Sequence, residues 1–401
     1  MSGEDVYQFI FNDIKKKLDN PDVIYTLHDK VKDFDPIPSG ITVIDEVLSG
    51  GLPEGRIIEV FGPEASGKTT LTLTVIANAQ KLGYIVYFID AEHALDMSYA
   101  ERIGVDSSKL LFSQPEYGEQ ALETVQAICE STEAAKIKFN RTIRSLVIID
   151  SVPALVPKGE FDKYEKEGLD STVALGGPAR MLAGKLPALV GAAGRSGVTV
   201  VFINQERDKI GVTFGSPTTT PGGRALKFFS SLRLKVQRIG QYKQGEEIVG
   251  IRTQMIPVKS KLFPIFGRRA EFIIGPNGIN QEISMVDTLI ERSILKKSGS
   301  WFRYKDQSFQ GKTNVETALR EDKEFRKTME EELAGTGGQS KAMELKVQKP
   351  KQAPSEPPTP DPSPEPLKPA VVSTGVRTIG ANTKTDLGSG IIAKSGIGRV
   401  E

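Results

Sequence analysis

The chain has 401 residues, 26% charged and 38% hydrophobic with a formal net charge of +1, room for one large α/β domain and a smaller one in an ordinary globular composition. That balance neither argues for a nucleic-acid partner nor excludes one, so any surface for DNA must come from local patches. One cysteine (Cys129) and two histidines (His28, His93) allow no internal disulfide and no zinc site on the usual spacings, and no apolar run approaches a membrane span.

Residues 1–36 begin with a charged stretch, GEDVYQFIFNDIKKKLDN, that is not a signal peptide, so the cytoplasm is the expected compartment and no membrane the expected partner. Val6, Phe9, Ile10, Ile14 and Leu18 fall on one face of a helix in that segment. The prolines and glycine of PIPSG, residues 36–40, then break the chain. From 37 to 270 apolar runs alternate with helical stretches. Strands are expected at 56–61, 84–89, 145–149 and 198–203, and this alternation predicts a mostly parallel central sheet covered by helices. Segments 227–237 and 248–258 alternate more like an antiparallel pair. Residues 271–334 read as a small α+β domain, with a charged helix at its end. Beyond 335 the texture changes: nine prolines in residues 350–369 predict an extended, disordered tail. The apolar end of that tail, 387–401, fits either a docking peptide or a plain disordered terminus.

Residues 62–69, GPEASGKT, form a G-x-x-x-x-G-K-T loop with an apolar strand before it and a helix, about 68–82, after it. Gly62 and Gly67 let the backbone fold into a nest, with Pro63, Glu64, Ala65 and Ser66 between them, whose N–H groups point at one anion. The helix N-terminus, with Thr70 in its first turn, adds its dipole. Lys68 neutralises β- and γ-phosphates, and the Thr69 hydroxyl holds Mg²⁺. The expected ligands are therefore ATP and Mg²⁺. Asp150, which ends the apolar run LVIID, is the expected second Mg²⁺ residue. In FIDAEHALD, residues 88–96, Glu92 leaves a strand end where it can polarise an attacking water; Asp96 could meet the adenine edge, though Asp96 and Tyr99 fit a helix cap equally well. Gln205, at the end of another strand, is placed to sense the γ-phosphate. The Gly/Thr-rich segment 206–224 that follows carries Arg207, Lys209, Arg224 and an isolated Phe214, which suits single-stranded DNA and also suits an ordinary surface loop.

Taken together, GGLPEGRIIEVFGPEASGKTTLTL, YFIDAEHALD, SQPEYGEQALE, VIIDSVPALVPK, VVFINQERDKIGVTFGSPTTTPGGRALKF and VKSK resemble the bacterial RecA recombinase family over about residues 37–334. The resemblance implies that Glu92 is the catalytic glutamate and Gln205 the switch from ATP to DNA. It implies that 206–224, with Gly222 and Gly223, is the second DNA-binding loop, that roughly 157–179 is the first, and that Arg180 lies at the same surface. Lys259 and Lys261 match lysines that reach ATP bound in a neighbouring subunit of a helical filament, with the N-terminal segment serving oligomerisation. Single- and double-stranded DNA and a LexA-like repressor are the implied partners.

Several positions depart from the family pattern. The first 35 residues do not follow its usual beginning, and the first loop is longer and rich in both charges. Leu175 stands where a methionine is usual, and Pro187 where a basic residue is usual, a loss that would either weaken DNA affinity or shift the contact to Lys185. The tail, 335–401, carries nine Lys/Arg against six Asp/Glu, unlike an acidic autoinhibitory tail. The main expectation is a DNA-dependent ATPase that forms filaments and exchanges strands. The alternatives are a DNA-bound filament serving as a scaffold for repressor self-cleavage, and a ring-forming motor with the same core.

Overall fold

Inside a parallel sheet each strand is covered on both faces, so the strands here are runs of apolar residues bounded by turn residues. In the computed structural model, which describes residues 3–19, 35–168, 176–208 and 218–336, these runs assemble into a nine-stranded sheet. Its strands are β1 Ile57–Gly62, β2 Ile85–Asp90, β3 Leu110–Ser113, β4 Ser145–Asp150, β5 Val198–Gln205, β6 Leu232–Gln244, β7 Glu247–Ser260, β8 Ala270–Gly275 and β9 Gly278–Asn280. Their spatial order is β9-β8-β7-β6-β1-β5-β4-β2-β3. The run from β6 to β3 is parallel throughout, while β7, β8 and β9 pair antiparallel at the other side. The four strands expected to carry the site, β1, β2, β4 and β5, lie side by side with β1 and β5 central.

Side-chain alternation sorts the two faces. Leu146, Ile148, Val201, Ile203, Val60 and Phe88 point to one core, which holds the helix α3 Lys68–Lys81 and the short helix α2 Thr42–Val47. Val147, Ile149, Val200, Phe202 and Ile57 point to the other, under α5 Gly118–Phe139 and α7 Gly177–Ser196. Two short helices complete the site: α4 Met97–Ile103 follows β2, and α8 Gly223–Phe229 precedes β6. The remaining helix of the core, α6 Lys158–Glu167, lies in the span implied as the first DNA loop. Cys129 is buried in the second core, as the sequence suggests.

Three differences from the sequence reading have physical reasons. Strand β3 was not expected, because it has four residues and leaves Leu111 and Phe112 half exposed at the sheet edge, so it has no clean apolar pattern. Residues 227–229 belong to helix α8 and not to the following strand; Gly222 and Gly223, both with positive φ, start a helical turn that Ser230 ends before β6 begins. The large sheet also continues past residue 270: β8 pairs with β7, and β9 with β8. A separate core of Met285, Leu289, Phe302, Leu319 and Leu333 begins only after it, among the helices α9 Gln281–Glu291, α10 Lys312–Glu321 and α11 Lys323–Thr336 and a three-stranded sheet.

At the N-terminus the helix α1 Gly3–Lys17 forms as expected, with Leu18 just beyond it; Val6, Phe9, Ile10 and Ile14 are all solvent-exposed, Phe9 at 71%. No helix among the described residues is long and apolar enough to cross a membrane. Lys209, Phe214, Leu175 and the tail beyond Thr336 lie outside the described residues.

Where α2 meets the core, the half-buried carboxylate of Asp45 accepts the Ser39 N–H at 2.6 Å. Burial outweighs that hydrogen bond and pushes the Asp45 pKa from 3.8 up to about 6. Because the folded pKa lies above the unfolded one, the stabilising form is the protonated one; its contribution is complete below about pH 4 and is lost as pH rises through about 6. Asp45→Asn should remove a pH-dependent contribution on the order of 2–3 kcal/mol. Urea unfolding of both proteins between pH 4 and 7 checks this: the difference should grow in the variant's favour up to pH 6 and then level off.

Candidate nucleotide and nucleic-acid site

The carboxyl ends of β1, β5, β4 and β2 converge on one edge of the sheet, and every strand-end residue singled out in the sequence arrives there. At the end of β1 the chain turns through Gly62, Pro63, Glu64, Ala65, Ser66 and Gly67 into α3. A side chain on Gly62 would place its Cβ 1.8 Å from the Val236 carbonyl oxygen, so only glycine fits there. Gly67 caps α3 with φ +92°, in the left-handed region, and Ile274 crowds the place of its missing Cβ. No side chain caps this helix start, and its first turn carries no acidic residue. A fourteen-residue helix thus presents its unsatisfied N–H groups and positive dipole end to the loop.

Lys68 is buried, and its ammonium donates to the carbonyls of Pro63 (2.6 Å) and Gly62 (3.2 Å) and lies 3.5 Å from the Ser66 hydroxyl. Burial lowers its pKa, opposed by the carboxylates of Asp150, Glu92, Glu64 and Glu206. A buried cation whose bonds among the described residues are to loop carbonyls and a hydroxyl suits a polyanion, and the donor set fits a triphosphate. Beside it, the Thr69 hydroxyl donates to Asp150 Oδ2 at 3.2 Å. Asp150 is buried, and desolvation together with Glu92 raises its pKa to about 6. A buried carboxylate short of positive charge, bonded to the loop threonine, is a fitting pair for Mg²⁺. Thr70 in turn shares a hydrogen bond of 3.0 Å with the Tyr99 hydroxyl.

The Asp150 carbonyl also accepts the N–H groups of Ala91 (2.7 Å) and Glu92 (3.1 Å), which ties the end of β2 to the end of β4. Glu92 projects into solvent from this anchored backbone, and its Oε1 accepts the Gln205 side-chain amide at 3.1 Å. The proposed catalytic glutamate and switch glutamine therefore touch, although 113 positions separate them. Asp96 caps α4: its carboxylate accepts the Tyr99 N–H at 3.0 Å and the Ser98 hydroxyl at 2.7 Å, and these bonds lower its pKa. The capping alternative is thus realised in the structure.

Three further residues support the site. Asp90, buried at the end of β2, accepts the N–H groups of Ala94 and Leu95 and the Gln114 amide, which holds the loop carrying Glu92. Glu59, fully buried in the middle of β1, pairs with Arg233 at 2.5 Å and accepts the Asn204 amide at 2.8 Å. Asn204 also donates to the Pro221 carbonyl at 3.1 Å and accepts the Gln205 N–H at 2.9 Å. Glu59 could have been found in the sequence, since a lone carboxylate inside the apolar run IIEVFG demands a buried partner.

Of the expected DNA residues, Arg207 sits on a two-residue ribbon, Arg207–Asp208 pairing with Thr218–Thr219, at the base of the second loop. Arg180 and Arg224 lie in the first turns of α7 and α8, both exposed. Those helix starts pack together, because a Cβ on Gly223 would come within 2.7 Å of Ala179 and one on Gly222 within 2.8 Å of Leu182. The two glycines thus bring two helix N-termini and two arginines to one surface, which favours a polyanion. Lys185, two residues before Pro187, pairs with Glu123 at 3.7 Å. The Lys259 ammonium donates to the carbonyls of Lys227 (2.6 Å) and Phe228 (2.8 Å) at the end of α8, and Lys261 is exposed just past β7.

A phosphate loop opening a helix beside the first strand, with acidic strand ends across the sheet edge, defines a phosphate-loop nucleotide-binding protein. The family model of the RecA N-terminal domain matches residues 6–280, and that of the RecA C-terminal domain matches 284–336. The chain belongs to the RecA family. A Protein RecA of Acidothermus cellulolyticus is 48% identical over 303 residues, covering 75% of this chain and 83% of that protein. One from Amycolatopsis mediterranei is 48% identical over 310 residues (76% and 84%), and one from Staphylococcus carnosus 45% identical over 306 (76% and 82%). The family match begins at residue 6, so it takes in the N-terminal helix that the sequence reading set apart from the family's usual beginning.

Removing the Lys68 ammonium, as in Lys68→Ala, should cost about 2–3 kcal/mol of nucleotide affinity, roughly 30- to 150-fold. Isothermal titration with ATP and Mg²⁺ measures this; wild-type affinity in the variant would remove Lys68 from the phosphate site.

Proposed function

We propose that this protein is a DNA-dependent ATPase that assembles on single-stranded DNA as a filament and carries out homologous pairing and strand exchange with duplex DNA in recombination and repair. The observation that carries the reading is the hydrogen bond between Glu92 and Gln205. It joins the carboxylate best placed to act on water to the residue at which β5 passes into the candidate DNA segment.

In this reading Lys68 and the N-terminus of α3 bind the triphosphate, and Thr69 with Asp150 would hold Mg²⁺. Bound Mg²⁺ supplies charge neutralisation at the transferring phosphoryl group. Glu92 orients the water and takes its proton, its backbone held on the Asp150 carbonyl and its loop held by Asp90. Gln205 binds the carboxylate in the present arrangement and is the group whose position must change when phosphate competes for it. Tyr99, bonded to Thr70, and Asp96 at the head of α4 line the side of the phosphate loop where the base would lie.

DNA contact is assigned to Arg180, Arg207, Lys209, Phe214, Gly222, Gly223 and Arg224. Cations and helix N-termini take the phosphates, so sequence choice comes from base pairing and not from the protein. Lys259 and Lys261 are assigned to the nucleotide of an adjacent protomer, which requires a filament. Nothing in the site favours the scaffold reading over this one, and a LexA-like repressor stays a proposed partner only.

Two measurements test the reading. ATP hydrolysis should rise strongly when single-stranded DNA is added, with Lys68→Ala as the blank; hydrolysis indifferent to DNA would sink it. Glu92→Gln should keep nucleotide and DNA affinity within about twofold while turnover falls by roughly 100-fold or more, the scale of a lost general base. Electron microscopy of that variant should show filaments that persist in ATP.

A further inference from the structure

Residue 206 is an acid at the exit of β5, and nothing in the functional reading uses it. Its backbone N–H donates to the Gly62 carbonyl at 3.0 Å, the same carbonyl that the Lys68 ammonium contacts at 3.2 Å. Its side chain, only 8% exposed, faces the other way along the sheet edge. One carboxylate oxygen accepts the Thr218 hydroxyl at 2.5 Å and the Lys235 ammonium at 3.1 Å. Thr218 belongs to the returning half of the ribbon at the base of the 206–224 segment, and Lys235 to β6, beside Phe61 in β1. One residue therefore bonds through its backbone to the phosphate loop and through its side chain to the neck of the candidate DNA segment.

We infer that Glu206 is a positioning residue that couples the phosphate loop to this neck, with Lys235 as the fixed cation that holds its carboxylate. The inference rests on the recombinase reading and deepens it. Its physical basis is the shared Gly62 carbonyl. Whatever draws the Lys68 ammonium off that oxygen leaves Glu206 N–H as its remaining donor among these two, so the loop and the start of the ribbon are mechanically continuous. A charge-assisted bond in this partly buried setting can pass a shift on to Thr218. The path is separate from the Gln205–Glu92 contact, and it runs parallel to the Asn204 amide on the Pro221 carbonyl, which grips the same segment three residues further on.

The test uses the full-length protein and two readouts besides hydrolysis. The first is the affinity for a labelled single-stranded oligonucleotide, by anisotropy, in the presence of a non-hydrolysable ATP analogue and of ADP. The second is amide hydrogen exchange of peptides covering residues 218–224 in the nucleotide-free protein. Lys235→Met should leave DNA-free hydrolysis within about twofold, reduce the ratio of the two DNA affinities by roughly five- to tenfold, and speed exchange at the neck by a similar factor. Glu206→Lys alone should do the same or worse, and Glu206→Lys with Lys235→Glu should recover most of the ratio. Lys235→Arg, which keeps the cation, should behave as wild type. Should Lys235→Met unfold, Thr218→Val removes the other bond and must give the same loss. A nucleotide-dependent wild type with an indifferent Lys235→Met and Thr218→Val overturns the inference alone. A wild type whose DNA affinity ignores the nucleotide overturns the recombinase reading and the inference with it.

Discussion

The site is organised around the end of β4, where Asp150 uses both its carbonyl and its carboxylate. The carbonyl accepts two N–H groups from the turn after β2, and the carboxylate accepts the hydroxyl of Thr69 from the start of α3. Three separate stretches of chain are thereby held at one point of the sheet edge. The strand itself is buried along its whole length, so the anchor cannot shift without disturbing both hydrophobic cores. Glu92 owes its position to this anchor and to Asp90, whose carboxylate holds the residues that follow it.

A second constraint is electrostatic. Lys68, Asp150 and Glu59 are buried, and Asp45 is half-buried. Burial alone would drive each toward neutrality, and the structure answers in different ways. Glu59 is matched by Arg233, whose guanidinium also lies over the Phe61 ring at 4.5 Å. Asp45 has backbone donors and no cation, which leaves its pKa high. Lys68 and Asp150 have opposite charges in the same cleft and still show pKa shifts dominated by desolvation. A buried structural pair has its partner built in. The phosphate-loop lysine and the strand-end acid have no such matched partner among the described residues, which is what the proposed triphosphate and Mg²⁺ site requires.

The sheet also explains why nucleotide and nucleic-acid elements lie so close. β5 is a central strand between β1 and β4, so its exit is adjacent to the phosphate loop on one side and to Glu92 across β4. The segment leaving β5 begins within hydrogen-bond reach of Gly62, and it returns through Thr218 to the Glu206 side chain and through Pro221 to Asn204 on β5. Coupling between the two ligands needs no long path, because both ends of the segment are pinned to residues next to the phosphate loop. Packing of Gly222 and Gly223 against α7 then brings together the starts of α7 and α8, whose first turns carry Arg180 and Arg224.

Much of this was legible in the chain alone. A local nest needs only its glycines, lysine and threonine in consecutive order, so GPEASGKT declares itself without a fold. The strands ending in Asp90, Asp150 and Gln205 were readable because a fully buried strand must be an apolar run and its polar end must lie at the sheet edge. The small edge strand β3 and the helix α8 were not, since a four-residue strand with a half-exposed centre and a seven-residue helix lack a period long enough to recognise. Only the tertiary structure could decide which polar ends meet. Strand order is set by how helices cover the two faces, not by sequence distance, and it is this order that joins Glu92 to Gln205, Glu59 to Arg233 and Glu206 to both Thr218 and Lys235.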